Sequence, residues 1–125
     1  RRENFQFFYE YFSDFENFFI LPKWHEKAIP SWFGFPLTVR ETAPFRRADL
    51  VAFMEDKKIA TRMLMGGNLT RQPAYMNLEF RTVDGLETSD YIMNHTFWFG
   101  VYPGLSDEMK GYMIECFDVF LSRYK

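Results

Sequence analysis

Phe5, Phe8, Phe12, Phe15 and Phe19 follow one another at intervals of three and four residues, the spacing that lines side chains along one stripe of an α-helix. Phe7, Tyr11 and Phe18 thicken the flank. One neighbour cannot cover so much apolar surface, so the spacing predicts a helix with two packing partners, ended by Pro22. A linker holding Pro22 and Pro30 follows, and then the period changes to two. Phe33, Phe35, Leu37 and Val39 alternate with Gly34, Pro36, Thr38 and Arg40, which predicts a strand over 33–40 with Pro36 at an edge or a bulge, because proline cannot donate to a ladder. A second helix is expected over 45–58 with Leu50, Val51 and Met54 inward. A second strand is expected over 59–65, with Thr61, Met63 and Met65 on one face and Arg62 and Leu64 on the other. Gly66 and Gly67 break it. Residues 68–81 read as an irregular loop with at most a short helix, and 89–94 as a short helix. In a third strand Phe97, Phe99 and Val101 alternate with Trp98, Gly100 and Tyr102, and Pro103-Gly104 stops it. Ser106 is placed to cap the last helix, with Asp107 and Glu108 in its favourable first turn. Met109, Met113, Phe117, Phe120 and Tyr124 continue its apolar stripe.

These elements make one α/β domain of two-layer α+β type, a three-stranded antiparallel sheet with flanking helices, and 125 residues suffice for its core. Aromatic residues form 21% of the chain, with sixteen Phe, seven Tyr and three Trp, so part of that surface is expected to be buried against something outside the domain. The formal net charge of −2 lacks the basic footprint of a nucleic-acid binder. A single cysteine, Cys116, excludes an internal disulfide and a cysteine metal cluster, and makes a reducing cytoplasm the simplest setting. No apolar run reaches membrane-spanning length and no signal peptide opens the chain. It begins Arg1-Arg2-Glu3 and runs directly into helical sequence, the start expected of a segment cut at a domain boundary, or of a processed or tag-freed chain.

Lys57 and Lys58 sit at a helix end, where cations suit the dipole and are normally solvated. His25 and His95 lie far apart without metal-ligand spacing. Cys116 falls on the apolar side of the last helix, as an inert buried thiol does. No nucleophile elbow, Walker loop or dinucleotide fingerprint occurs. The stretch that stands out follows Arg62: two glycines that let the backbone turn, and then Asn68, Thr70, Arg71 and Gln72 within five positions. Such a loop suits an anionic or sugar ligand. It equally suits a solvated loop whose polar groups satisfy their own backbone.

The run Thr61-Arg-Met-Leu-Met-Gly-Gly-Asn68-Leu-Thr-Arg71-Gln-Pro-Ala-Tyr75 resembles the C-terminal signature of the nucleotide-sugar 3-dehydrases of CDP-4-keto-6-deoxyglucose type, within the DegT/DnrJ/EryC1/StrS sugar aminotransferase family of fold-type I pyridoxal phosphate enzymes. Pro30-Ser-Trp-Phe-Gly-Phe-Pro36, Met93-Asn-His-Thr-Phe-Trp98 and Gly100-Val-Tyr-Pro-Gly-Leu-Ser106 agree with it. Related aminotransferases have a His after a Pro where this chain has Asn68, and that departure favours the dehydrase branch. The resemblance implies a small C-terminal domain over 23–125, a domain-linking helix over 1–22, and a large cofactor-binding domain outside this chain. It implies a parent enzyme, homodimeric and cytoplasmic, that uses pyridoxamine 5'-phosphate and a [2Fe-2S] cluster. That parent removes the C3 hydroxyl of a nucleotide-linked 4-keto-6-deoxyhexose for O-antigen lipopolysaccharide, with an NADH-dependent iron–sulfur flavoprotein reductase as partner. The chain itself is then expected to hold no catalytic residue, cofactor or metal. Arg62, Asn68, Thr70, Arg71 and Gln72 become the expected contacts to substrate or cofactor, and His95 a supporting or structural residue. The alternatives are a stand-alone RNA-binding module that stacks bases on Phe97, Trp98 and Phe99, and a protein-interaction module that uses the aromatic first helix.

Overall fold

In the computed structural model, which describes residues 1–124, the three period-two segments pair as antiparallel strands and gain a fourth. The elements are α1 (Arg2–Ser13), β1 (Phe19–Ile20), β2 (Gly34–Val39), α2 (Arg47–Asp56), β3 (Thr61–Met63), α3 (Glu87–His95), β4 (Thr96–Gly100) and α4 (Asp107–Leu121), with single tight helical turns at Leu69–Arg71 and Ser122–Tyr124. The sheet order is β1-β2-β4-β3, and each neighbouring pair is antiparallel.

The alternation settles the two faces. Phe35, Leu37 and Val39 of β2 and Phe97 and Phe99 of β4 are buried in one core with Phe5, Phe8 and Phe12 of α1, Leu50 and Met54 of α2, and Met113, Phe117, Phe120 and Leu121 of α4. Phe12 is central to it, its ring 5.4 Å from Phe35, 5.5 Å from Phe19 and 4.9 Å from Phe117. α1 thus meets both the sheet and α4, the two neighbours that its aromatic load required. Across the α1–α4 contact Tyr11 donates its hydroxyl to Asp118 at 2.9 Å. Burial first, and then this carboxylate, push the phenol above its ordinary range. Ser106 caps α4 as expected, accepting from the Met109 N–H at 3.2 Å.

The expected three-stranded sheet and the expected helix up to Pro22 both need correction. α1 stops at Ser13, and Phe19–Ile20 pairs with Val39 and Thr38 as β1. Asp14 and Asn17 are residue types of low helix propensity that favour turns over helix continuation. A turn over 14–18 returns Phe15, Phe18 and Phe19 to the same core, so the 3–4 spacing of buried aromatics persists past the helix. β1 is so short that β2 lacks a neighbour on that side at Pro36, which is the edge position that proline demands. The second expected strand shortens to Thr61–Met63, and Met65 leaves the sheet at φ 49° with 76% exposure.

The opposite face of the sheet carries Gly34, Pro36 and Thr38 of β2, Thr96, Trp98 and Gly100 of β4, and Arg62 of β3. Thr38 and Thr96 share a hydroxyl hydrogen bond of 2.8 Å. Pro36 and Arg62 both stand opposite Trp98 in register. The Trp98 indole packs against Gly34, where any Cβ would collide with its ring, and donates Nε1–H to the Met63 carbonyl at 3.1 Å.

Candidate ligand-binding site

After β3 the backbone turns through left-handed conformations at Met65 (φ 49°) and Gly67 (φ 62°). The second suits glycine for two reasons, its φ and the Met93 side chain that a Cβ would strike. The turn delivers Asn68 into a buried position, 4% exposed. Its Oδ1 accepts from the Thr70 N–H at 3.1 Å and the Thr70 hydroxyl at 2.8 Å, while its Nδ2 donates to Asp90 Oδ1 at 2.7 Å. Arg71 grips the same carboxylate with both prongs, Nε to Oδ1 at 3.2 Å and Nη2 to Oδ2 at 2.9 Å. Gln72 closes the loop by donating to the Gly66 carbonyl at 2.9 Å. Asp90, in the first turn of α3, therefore ties the loop to that helix. Hydrogen bonds from Arg71 first, and then from Asn68, hold its carboxyl below the usual aspartate range, and the pair raises the Arg71 guanidinium in return.

Four of the five expected residues, Asn68, Thr70, Arg71 and Gln72, thus form one network. Arg62 stands apart from it. Its Nη1 donates to the Thr61 carbonyl at 2.9 Å, and its side chain lines a cavity of about 650 Å³ with Lys58, Trp98, Tyr102, Met109 and Tyr112. Sequence reasoning missed Asp90. Nothing around it marks it beyond the preference for carboxylates in a helix first turn; the indirect signal was the lack of a local acidic partner for Arg71. The network makes Arg71 an oriented cation. Its side chain is 61% exposed, and the Asp90 contact uses two of its five N–H donors. Asn68 is buried, with three side-chain hydrogen bonds to Thr70 and Asp90, so it acts through its neighbours.

His95 stacks on Tyr91 at 4.4 Å and places Nε2 3.8 Å from Glu41. His25 accepts from the Lys27 N–H, and Cys116 is buried. Among the described residues no group of three or more His, Cys, Asp or Glu gathers as metal ligands. Phe97 and Phe99 are at most 1% exposed, so the base-stacking alternative loses two of its three platforms. The interaction reading of the first helix loses its motive as well, since Phe5, Phe8 and Phe12 are spent on the domain's own core. The exposed apolar surface lies elsewhere: Phe33, Met65, Tyr75, Met76, Leu78, Phe80 and Val83 are each at least 44% exposed.

Residues 1–118 match the DegT/DnrJ/EryC1/StrS aminotransferase family. The chain belongs to that family. Over 120 residues it is 44% identical to the lipopolysaccharide biosynthesis protein RfbH of Salmonella typhimurium, covering 96% of this chain and 28% of that protein. Over 104 residues it is 44% identical to the dTDP-4-dehydro-2,6-dideoxy-D-glucose 3-dehydratase of Saccharopolyspora spinosa, covering 83% of this chain and 22% of that one. Its fold superposes on the E. coli GDP-4-keto-6-deoxy-D-mannose-3-dehydratase with bound hydrated PLP at a TM-score of 0.78 and 20% identity, over 92% of this chain and 29% of the other. The chain thus spans less than a third of each of these family members.

Proposed function

We propose that this chain is the small C-terminal domain of a pyridoxamine 5'-phosphate-dependent dehydrase that removes the C3 hydroxyl of a nucleotide-linked 4-keto-6-deoxyhexose in dideoxysugar and O-antigen lipopolysaccharide synthesis. The observation that carries this reading is 44% identity to a relative whose name specifies 3-dehydratase activity. In it, residues 1–22 lead from the large cofactor-binding domain and 23–125 close its cleft. The exposed apolar residues from Phe33 to Val83 are the surface that packs on the large domain, whereas most of the aromatic excess is spent on the domain's own core.

The residues of this chain do not by themselves make a site for the cofactor. A pyridoxal-type ring takes an acidic or basic partner at its nitrogen. The 650 Å³ cavity has cations but no carboxylate in its lining, and Asp90 is committed to Arg71 and Asn68. A [2Fe-2S] centre takes four ligands, commonly thiolates, and the one thiol here is buried. In this proposal both groups are held elsewhere in the parent, which is a cytoplasmic homodimer served by an NADH-dependent iron–sulfur flavoprotein reductase. When bound, the cofactor ring supplies an electron sink. This domain supplies binding: Arg71 reaches an anionic group of the nucleotide sugar, Asn68 and Asp90 act as positioning residues for it, and Thr70 and Gln72 shape the loop around it.

The test is product analysis. The full-length protein carrying this domain is incubated with pyridoxamine phosphate, glutamate, NADH, an NADH-dependent reductase and CDP-4-keto-6-deoxyglucose, and the sugar is read by mass spectrometry. Loss of the C3 oxygen is expected. Transfer of an amine from glutamate without loss of that oxygen makes the protein an aminotransferase and refutes the proposal.

A further inference from the structure

We infer that β3 is a sealed edge: Glu55, Arg62 and Trp98 occupy its outward backbone groups and keep a second copy of this chain from adding a strand to the sheet. The order β1-β2-β4-β3 leaves two open edges. On one side β1 offers only two residues, and so short an edge is a poor template for a further strand. On the other side β3 backs onto the five-residue β4. Its unpaired N–H and C=O groups would recruit a strand if they were left free.

The seal begins with the way α2 ends. The Lys58 N–H donates to the Glu55 carbonyl and the Ile59 N–H to the Met54 carbonyl, each at 3.0 Å, with Lys58 left-handed at φ 63°. That reversal sets Thr61 against the Glu55 side chain. Glu55 Oε1 accepts both the Thr61 N–H at 2.6 Å and the Thr61 hydroxyl at 2.7 Å. An N–H engaged there points away from β4. In an antiparallel ladder the N–H and C=O of one residue point the same way, and residues two apart agree. Thr61 and Met63 therefore present four backbone groups to the open side. Beyond the Thr61 N–H, the Thr61 carbonyl accepts from Arg62 Nη1 at 2.9 Å and the Met63 carbonyl from Trp98 Nε1 at 3.1 Å. The fourth group is the Met63 N–H, and the Arg47 guanidinium touches the sulfur of that residue. The caps support one another. Hydrogen bonds from Thr61 first, and then the charge of Arg62, hold the Glu55 carboxyl below the usual glutamate range. Gly34 leaves the space that the Trp98 ring occupies. Pairing with β4 needs none of these side chains, so they serve the side that β4 does not cover.

The experiment pairs sedimentation velocity with hydrogen exchange in the full-length protein that carries this domain. Glu55→Ala and Trp98→Phe each remove one cap, the second while keeping an aromatic ring against Gly34. In dilute solution the Thr61 amide of Glu55→Ala should exchange faster by about tenfold or more. At high concentration the double variant should form species larger than those of the wild type, with self-association at least about tenfold tighter. Protection should then return over residues 61–63 as two edges pair. Glu55→Gln keeps an acceptor oxygen and should behave as the wild type does. If Glu55→Ala also loses protection across β2 and β4, Trp98→Phe carries the comparison by itself. Variants that stay in the wild-type association state at every concentration overturn the inference, and so does association without renewed protection over 61–63. Turnover is not read, so either result leaves the dehydrase proposal untouched.

Discussion

Replacing Asn68 with Ala tests whether the polar loop is a preorganised structure or a loose strand of solvated residues. The substitution removes both hydrogen bonds to Thr70, from N–H at 3.1 Å and hydroxyl at 2.8 Å, along with the link to Asp90. A neutral hydrogen bond is worth about 0.5–1.5 kcal/mol net, so the two Thr70 bonds alone come to roughly 1–3 kcal/mol. The loop packs few residues into the core, so this loss appears as local opening rather than global unfolding. Hydrogen exchange resolves the difference. Protection of the Thr70 amide should fall by roughly 5- to 150-fold, the equivalent of that energy, while the amides of β2 and β4 keep theirs. Unchanged exchange at Thr70 means that the network does not order the loop. A uniform loss across the sheet means that Asn68 supports the whole domain, and the reasoning from local burial fails.

Three further outcomes are expected. In the full-length enzyme, Arg71→Ala should lower kcat/KM by roughly 10- to 100-fold with little change in Tm, while Arg62→Ala should leave the loop intact; unchanged kcat/KM on the native nucleotide sugar removes Arg71 from the site. Because Asp90 binds its proton more weakly in the folded loop than in the unfolded chain, its contribution is complete above the ordinary aspartate pKa of about 3.9 and is lost as the pH falls through the depressed value. Loop protection should therefore drop in acid below about pH 4 in the native protein, and Asp90→Asn should remove that pH dependence in an exchange profile. Phe12→Ala, at a fully buried ring touching five others, should cost about 3–5 kcal/mol in urea unfolding; a loss under about 1 kcal/mol would show that the core closes over the gap.

The sequence was most legible where one periodic signal had one meaning. Residues 97–101 alternate cleanly, and Phe97, Phe99 and Val101 are buried as that alternation requires. Ser106 announces α4 by chemistry that acts within three residues. The reading failed where two structures share a signal. Phe15 and Phe19 continue the helical spacing, but they reach the core from a turn and a strand. It could not reach Asp90 either, because an ion pair between positions 71 and 90 leaves no trace in local pattern. The grouping of Asn68, Thr70, Arg71 and Gln72 was readable from composition, whereas the separation of Arg62 depends on which way β3 faces.

The strand order also has a consequence for how the domain comes into being. β2 and β3 do not touch each other; each is bonded to β4, the last strand in the chain. The Thr38–Thr96 contact closes an interval of 58 residues, so the sheet rests on a late and long-range event. Until Thr96 and the residues after it are made, Phe35, Leu37 and their helix partners cannot complete the core of this domain. During that interval the aromatic N-terminal half is exposed to aggregation. A chaperone that holds residues 1–95 of this domain during synthesis should raise the soluble yield more than one that acts after release, and truncation before Thr96 should leave only the short β1–β2 ribbon of the sheet.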